Sequence, residues 1–130
     1  MAIYCGHVYC LYLPIAGKDK LLVPAYILPD DRVRFFVINT NLTLLQQNNS
    51  EIKQHVFPIQ QALNRQFLEY DSWLTCNEVV AGWTSAQIDA QNNCYRGPLD
   101  QTTLVSVRTV ITASRLYSQI EKNTILAQWP

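Results

Sequence analysis

A chain of 130 residues, 48% hydrophobic and only 15% charged, is long enough to bury one core and too apolar for intrinsic disorder. Its ten basic and ten acidic side chains cancel, which argues against broad electrostatic capture of nucleic acid but leaves room for a local basic groove. No apolar run reaches the roughly 18 residues of a membrane span, and two histidines with four scattered cysteines offer no metal-ligand spacing.

In chain order, the start "MAIYCGHVYCLYLPIAG" is apolar, lacks a basic leader and is interrupted by Gly6 and His7. It reads as a strand, not a signal peptide. Val8, Cys10 and Tyr12 fall on one face of it, Tyr9, Leu11 and Leu13 on the other. "KLLVPAYIL" and "DRVRFFVINT" are rich in β-branched and aromatic residues and predict two more strands, with "LPDD" as the turn between them. Pro24 predicts an edge strand or a bulge, because it has no N–H to give a ladder. Short connections make these three strands an antiparallel meander. The amide-rich "NLTLLQQNNSEIKQ" then breaks the alternation.

"HVFPI" reads as a short strand and "QALNR" as a loop or one helical turn. "DSWLTCNEVV" is a strand with Trp73 and Thr75 on one face and Ser72, Leu74 and Cys76 on the other. "AGWTSAQIDAQNNCYRGPLD" is loop-rich, with Thr84 or Ser85 placed to cap a short turn. From Asp100 the period lengthens. Leu104, Val107, Val110 and Ile111 recur at helical spacing behind an Asp100 N-cap. Ser118 and Glu121 have the form of a capping box, and Ile120, Thr124, Ile125 and Leu126 are the expected inner face of a last helix. The fold class is therefore α+β and mainly β: a small antiparallel barrel of five to six strands over about 7–80, then one or two C-terminal helices over about 100–128, in a single domain spanning 1–130.

Several polar residues are candidates for chemistry. Ser72 after Asp71 would need a base to act as a nucleophile, and only His7 or His55 could serve. Such short polar side chains more often bond neighbouring backbone at a strand start, and that reading is adopted here. His55 and His7 read as surface or capping residues. Arg32 and Arg34 share one strand face, and Lys18 and Lys20 sit in the preceding turn. Together they offer a phosphate-binding edge with Tyr9, Tyr26 or Phe36 for stacking, or simply charge that protects a sheet edge. Thr40 ends the third strand, where a hydroxyl is well placed to face a groove, but by itself it reads as a simple strand-to-loop transition with Asn39 and Asn41 making turns. Trp73, Trp83 and Trp129 read as packing residues, and the cysteines as buried thiols of a cytoplasmic protein.

Three stretches carry a resemblance. "KLLVPAYIL" with "RVRFFVINT", then "FLEYDSWLTCNEVV", then "VITASRLYSQIEKNTIL" resemble the paired second and third strands, the Asp-Ser strand and the closing turn and helix of the PemK/MazF (CcdB/PemK) toxin superfamily. The resemblance covers most of the chain. It implies an SH3-like barrel of bacterial or phage origin, in a toxin–antitoxin or phage-defence setting, acting as a metal-independent endoribonuclease on single-stranded RNA without a cofactor. In that family an Arg before the second strand and a Thr or Ser after the third carry cleavage. Here Thr40 matches the hydroxyl position, and Lys20 (or Lys18) stands where the Arg would be. Lys supplies a point charge and not a bidentate fork. The implied catalytic set is Lys20 for the phosphate, Arg34 for charge stabilisation and Thr40 as hydroxyl donor. Lys18, Arg32 and Tyr26 are the implied RNA contacts. RNA or a cognate antitoxin is the implied partner, and a homodimer the implied state. Two other readings stand beside it: a non-catalytic protein-interaction module on the same barrel, and a cysteine enzyme using Cys76 with His55.

Overall fold

The computed structural model describes residues 3–130. Its strands are β1 (His7–Leu13), β2 (Lys18–Ile27), β3 (Arg32–Asn39), β4 (Val56–Ile59), β5 (Ser72–Thr84) and β6 (Tyr95–Pro98). They form one antiparallel sheet in the order β4-β5-β3-β2-β1-β6. The helices are α1 (Leu44–Asn48), α2 (Ser50–Lys53), α3 (Ser85–Asp89), α4 (Gln101–Ala113) and α5 (Gln119–Gln128). The protein is α+β and mainly β, and the sheet curls into a half-barrel. The expected strand at the chain start begins only at His7. Met1 and Ala2 lie outside the described residues, and Ile3 to Gly6 lead into β1 through a turn.

The meander forms as expected from β1 to β3. Gly17, at φ +66°, closes the first hairpin, where its N–H donates to Leu13 O at 2.9 Å. A Cβ is disfavoured at that φ, so glycine suits the position. Lys18 and Lys20, expected in the turn, instead lie inside β2, opposite Leu13 and Leu11. Pro24 sits in a central strand, not an edge strand. The sheet absorbs it through the other expected route, a register shift between Pro24 and Tyr26. Its carbonyl still accepts the Gly6 N–H at 3.1 Å.

β3 does not pair with the next strand in sequence. The amide-rich stretch after it folds into α1 and α2 and carries the chain past β5 to β4 at the sheet edge. Thr43 makes this possible. It closes a capping box with Gln46 that gives α1 a defined start. β5 is 13 residues long and slips register against β3. Its first half therefore lies between β4 and the end of β3, and its last residues beside the start of β3. The loop-rich stretch supplies α3, capped by Thr84, and β6, which pairs with β1. The two edge regions are tied together where Asn64, in the loop after β4, donates Nδ2 to Asp100 Oδ1 at 3.2 Å, just after β6.

Each face of the sheet carries a core. On one, Phe36, Ile38, Leu74 and Cys76 pack with Leu104, Val107 and Ile111 of α4 and Ile125 of α5. On the other, Tyr9, Leu11, Leu22, Val33 and Phe35 pack with Ile88 of α3. The two C-terminal helices compare differently with their sequence patterns. α4 and its Asp100 cap form as read, with the carboxylate accepting Thr103 N–H at 3.0 Å. Ile120, expected on the inner face of α5, is 80% exposed, because Ile125 and Trp129 set which stripe of α5 meets the sheet. Among the described residues, no helix is long and apolar enough to cross a membrane.

Candidate functional site

The bonds of Asp71 and Ser72 settle their roles. Asp71 Oδ1 accepts the Gln61 N–H at 2.8 Å, and Ser72 Oγ donates to Tyr70 O at 3.0 Å. Both serve backbone groups at the mouth of β5, as expected for short polar side chains at a strand start. His55, expected at the surface, is instead 0% exposed, with both ring nitrogens engaged. The Cys76–His55 pairing fails on the same geometry. His55 Nε2 meets Ser114 Oγ at 2.6 Å, and burial pushes the Cys76 thiol well above its ordinary range, away from the thiolate that nucleophilic chemistry needs.

A groove of about 520 Å³ opens where β3 ends. Thr40, Asn41 and Leu42 come from the loop after β3, Gln47 and Asn48 from α1, Lys53 from α2, and Val56 and Trp73 from β4 and β5. The loop reaches this position because Gln46 is doubly held. Its Oε1 accepts Thr43 N–H at 3.0 Å and its Nε2 donates to Asn77 Oδ1 on β5 at 3.1 Å. α1 is thereby pinned to the sheet and forms one wall.

Beside the groove, the apolar sheet face turns polar. Lys20 Nζ donates to Asn39 Oδ1 at 2.7 Å. Asn39 Nδ2 donates to Thr75 Oγ1 at 3.3 Å, and Thr75 Oγ1 donates to Val37 O at 2.8 Å. Asn39 is also the register partner of Trp73. Across the sheet the order is therefore Lys53 with Val56, then Trp73, then Asn39, then Lys20: a cation, an indole, an amide and a second cation. Lys20 stands two strands from Trp73, about 10 Å at the usual strand spacing. Burial, with the Lys18 charge added, lowers the Lys20 amine below the ordinary lysine range.

Trp73 differs from the other two indoles. Trp83 Nε1 donates to Tyr12 O at 2.8 Å and Trp129 Nε1 to Leu104 O at 3.0 Å. Among the described residues, the Trp73 N–H has no acceptor and its ring no aromatic neighbour. The half-buried Trp73 indole therefore lies on the groove wall with its N–H open to solvent or to a ligand.

The structure brings Lys20 and Thr40 to this end of the sheet, with Lys18 two residues further along the same strand. It does not bring the others. Arg34 pairs with Tyr26 near the start of β3, and Tyr26 belongs to the core under α4 and α5. Arg32 is held by Asp30, Nε to Oδ2 at 2.7 Å. Lys53 and Trp73 are groove residues the sequence reading missed. Their signal was available only as a lone Lys closing a polar stretch and a Trp on the Thr75 face. The lining itself contains no carboxylate, imidazole or thiol. His7 lies away at the β1–β6 edge, bonded to Tyr95 Oη at 2.7 Å. Among the described residues no cluster of His, Cys, Asp and Glu could hold a metal. No protein-family model matches the chain, and no curated protein matches it at a significant level.

Proposed function

We propose that this is a PemK/MazF-like barrel that binds single-stranded RNA across the end of its sheet, in a bacterial or phage toxin–antitoxin or defence setting in the cytoplasm. The observation that carries the reading is the line Lys53, Trp73, Asn39, Lys20. Single-stranded nucleic acid is held by cations that follow its backbone and rings that stack its bases, and neither element needs a particular sequence. A net charge of zero is compatible with this, because the cations are local. In this reading Arg34, Arg32 and Tyr26 do not touch the bound strand.

The lining favours binding over cleavage. Metal-free cleavage requires one group to take the 2′-hydroxyl proton and another to protonate the leaving oxygen. Thr40 can donate a hydrogen bond, and Lys20 supplies a base only in its minor neutral form. Purified protein with a labelled single-stranded RNA in EDTA tests both halves. The expected result is binding by the wild type, weakened about 5- to 150-fold by Trp73→Ala, which removes the platform for one stacked base. Cleavage by the wild type that disappears in Lys20→Ala and Thr40→Ala would add catalysis to the reading. Absence of any binding would overturn it.

One observation favours a second reading, a protein-interaction module such as an inhibitor or adaptor. Leu44 and Leu45 on α1 are 75% and 61% exposed beside the groove, an apolar rim suited to a protein partner. A stable complex that forms without RNA and is broken by Leu45→Lys would establish it.

A further inference from the structure

We infer that Asn39 and Thr75 are positioning residues that fix the Lys20 amine beside the groove, where it would meet a phosphate of the bound strand. The inference rests on the RNA reading above and concerns how its second cation is held.

A lysine at the edge of an apolar strand face ordinarily lays its stem along the surface and lets its head wander in water. Lys20 has Leu22 on one side and Lys18 on the other along that face and Leu11 across from it, yet its amine is held on one atom, Asn39 Oδ1, at 2.7 Å. The orientation of that amide follows from its other bond. Thr75 has a single hydroxyl proton, and it goes to Val37 O at 2.8 Å. Thr75 Oγ1 must then accept from Asn39, so Nδ2 faces Thr75 and Oδ1 faces Lys20. A flipped amide would point N–H groups at an ammonium and oppose two acceptors. The chain of bonds therefore has one arrangement, anchored in the backbone of β3. The ammonium has three protons, and only one is used within the described residues. The remaining two are free for phosphate oxygens, on a side chain whose ordering cost has been met before the ligand arrives.

An ion pair would hold Lys20 more tightly but would neutralise it, whereas a neutral amide orients the charge and leaves it available. Asn39 is thus the residue type suited to presenting a cation, and Thr75 the residue that chooses the face of the amide.

The test is the salt dependence of binding to a labelled oligouridylate, with melting temperature as the folding control. For a single strand, the slope of log K against log salt falls by about 0.7 for each phosphate that is no longer neutralised. Lys20→Met should lower the slope by that amount. Thr75→Val, which keeps the shape and removes the hydroxyl, and Asn39→Asp, which cancels the charge, should lower it equally. Thr75→Ser should restore it. A wild-type slope in both Thr75→Val and Asn39→Asp, with a reduced slope in Lys20→Met, would overturn the positioning role and leave the RNA reading standing. A wild-type slope in Lys20→Met would overturn both the role and the place of Lys20 in the site. Absence of binding by the wild type would overturn the RNA reading itself.

Discussion

The imidazole of His55 is fully enclosed, yet neither nitrogen is left without a partner. Nδ1 faces the Glu51 carbonyl at 2.9 Å and must therefore carry the proton, so Nε2 accepts the Ser114 hydroxyl at 2.6 Å. Ser114 Oγ in turn accepts the Leu116 N–H at 3.1 Å. These bonds tie the start of β4 to the turn between α4 and α5. Ser114→Ala would leave Nε2 a buried acceptor without a donor, at a cost of about 1–3 kcal/mol. A melting temperature several degrees lower is expected, and an unchanged one would refute the role. Cys76 is the residue-scale contrast. Its thiol is buried and its ionisation suppressed, so an aromatic disulfide reagent should leave it unmodified in the native protein and reach it only after denaturation. Asn64 carries an unusual cost for its position: its Nδ2 bonds Gln60 O and Asp100 Oδ1, while its buried Oδ1 has no partner among the described residues.

At the scale of elements, Asp100 does two things at once. It caps α4 through the Thr103 N–H, and it receives Asn64 from the opposite edge of the sheet. Burial by itself would raise its carboxyl, but the bonds from Thr103 and Asn64 outweigh that effect and hold it below the usual carboxylate range. A depressed folded value stabilises the fold above the ordinary carboxylate pKa near 4, and that contribution is lost as pH falls below it. Asp100→Ala should therefore cost about 1–2 kcal/mol at pH 7 and progressively less below pH 4, as read by denaturant unfolding at several pH values. An equal loss at pH 3 and pH 7 would refute the account. α5 offers the opposite case: Ile120→Gln changes an exposed position and should move stability by less than about 0.5 kcal/mol.

At the scale of the molecule, the two-sided core encloses groups that burial keeps neutral to higher pH than in the unfolded chain. Burial raises the Cys5 thiol from its ordinary 9.0 to about 11, and it raises Cys76 and Tyr117 as well. Tyr117 also donates its phenol to Cys76 O at 2.7 Å inside the core. In the unfolded chain these groups ionise at their ordinary values, while the folded protein holds their protons. Their contribution to stability is therefore complete below about pH 9 and declines as pH rises toward 11. Unfolding by urea at pH 8, 9, 10 and 11 should show that decline, less steeply in Cys5→Ala. A flat profile would contradict it.

Sequence alone determined the elements whose signal is local. Alternation placed β1, β2, β3 and the start of β5. Helical spacing behind Asp100 and Ser118 placed α4 and α5, because caps and periodicity are properties of neighbouring residues. It also placed Thr40 at the end of the third strand, since the end of a strand can be read from where alternation stops. Tertiary structure decided the rest. Whether Arg34 joins Lys20 depends on which face each strand residue presents and at which end of the sheet it lies, and the β2–β3 register, which sets Lys20 beside Asn39 and Arg34 beside Tyr26, decides both. Whether His55 is surface or core depends on Ser114, 59 residues away in sequence. Trp73 became distinct from Trp83 and Trp129 only once their indole N–H groups had found carbonyls and its own had not. The pattern of one strand shows which side chains share a face. It carries no record of what the curled sheet brings against that face, and the groove is made of those long-range meetings.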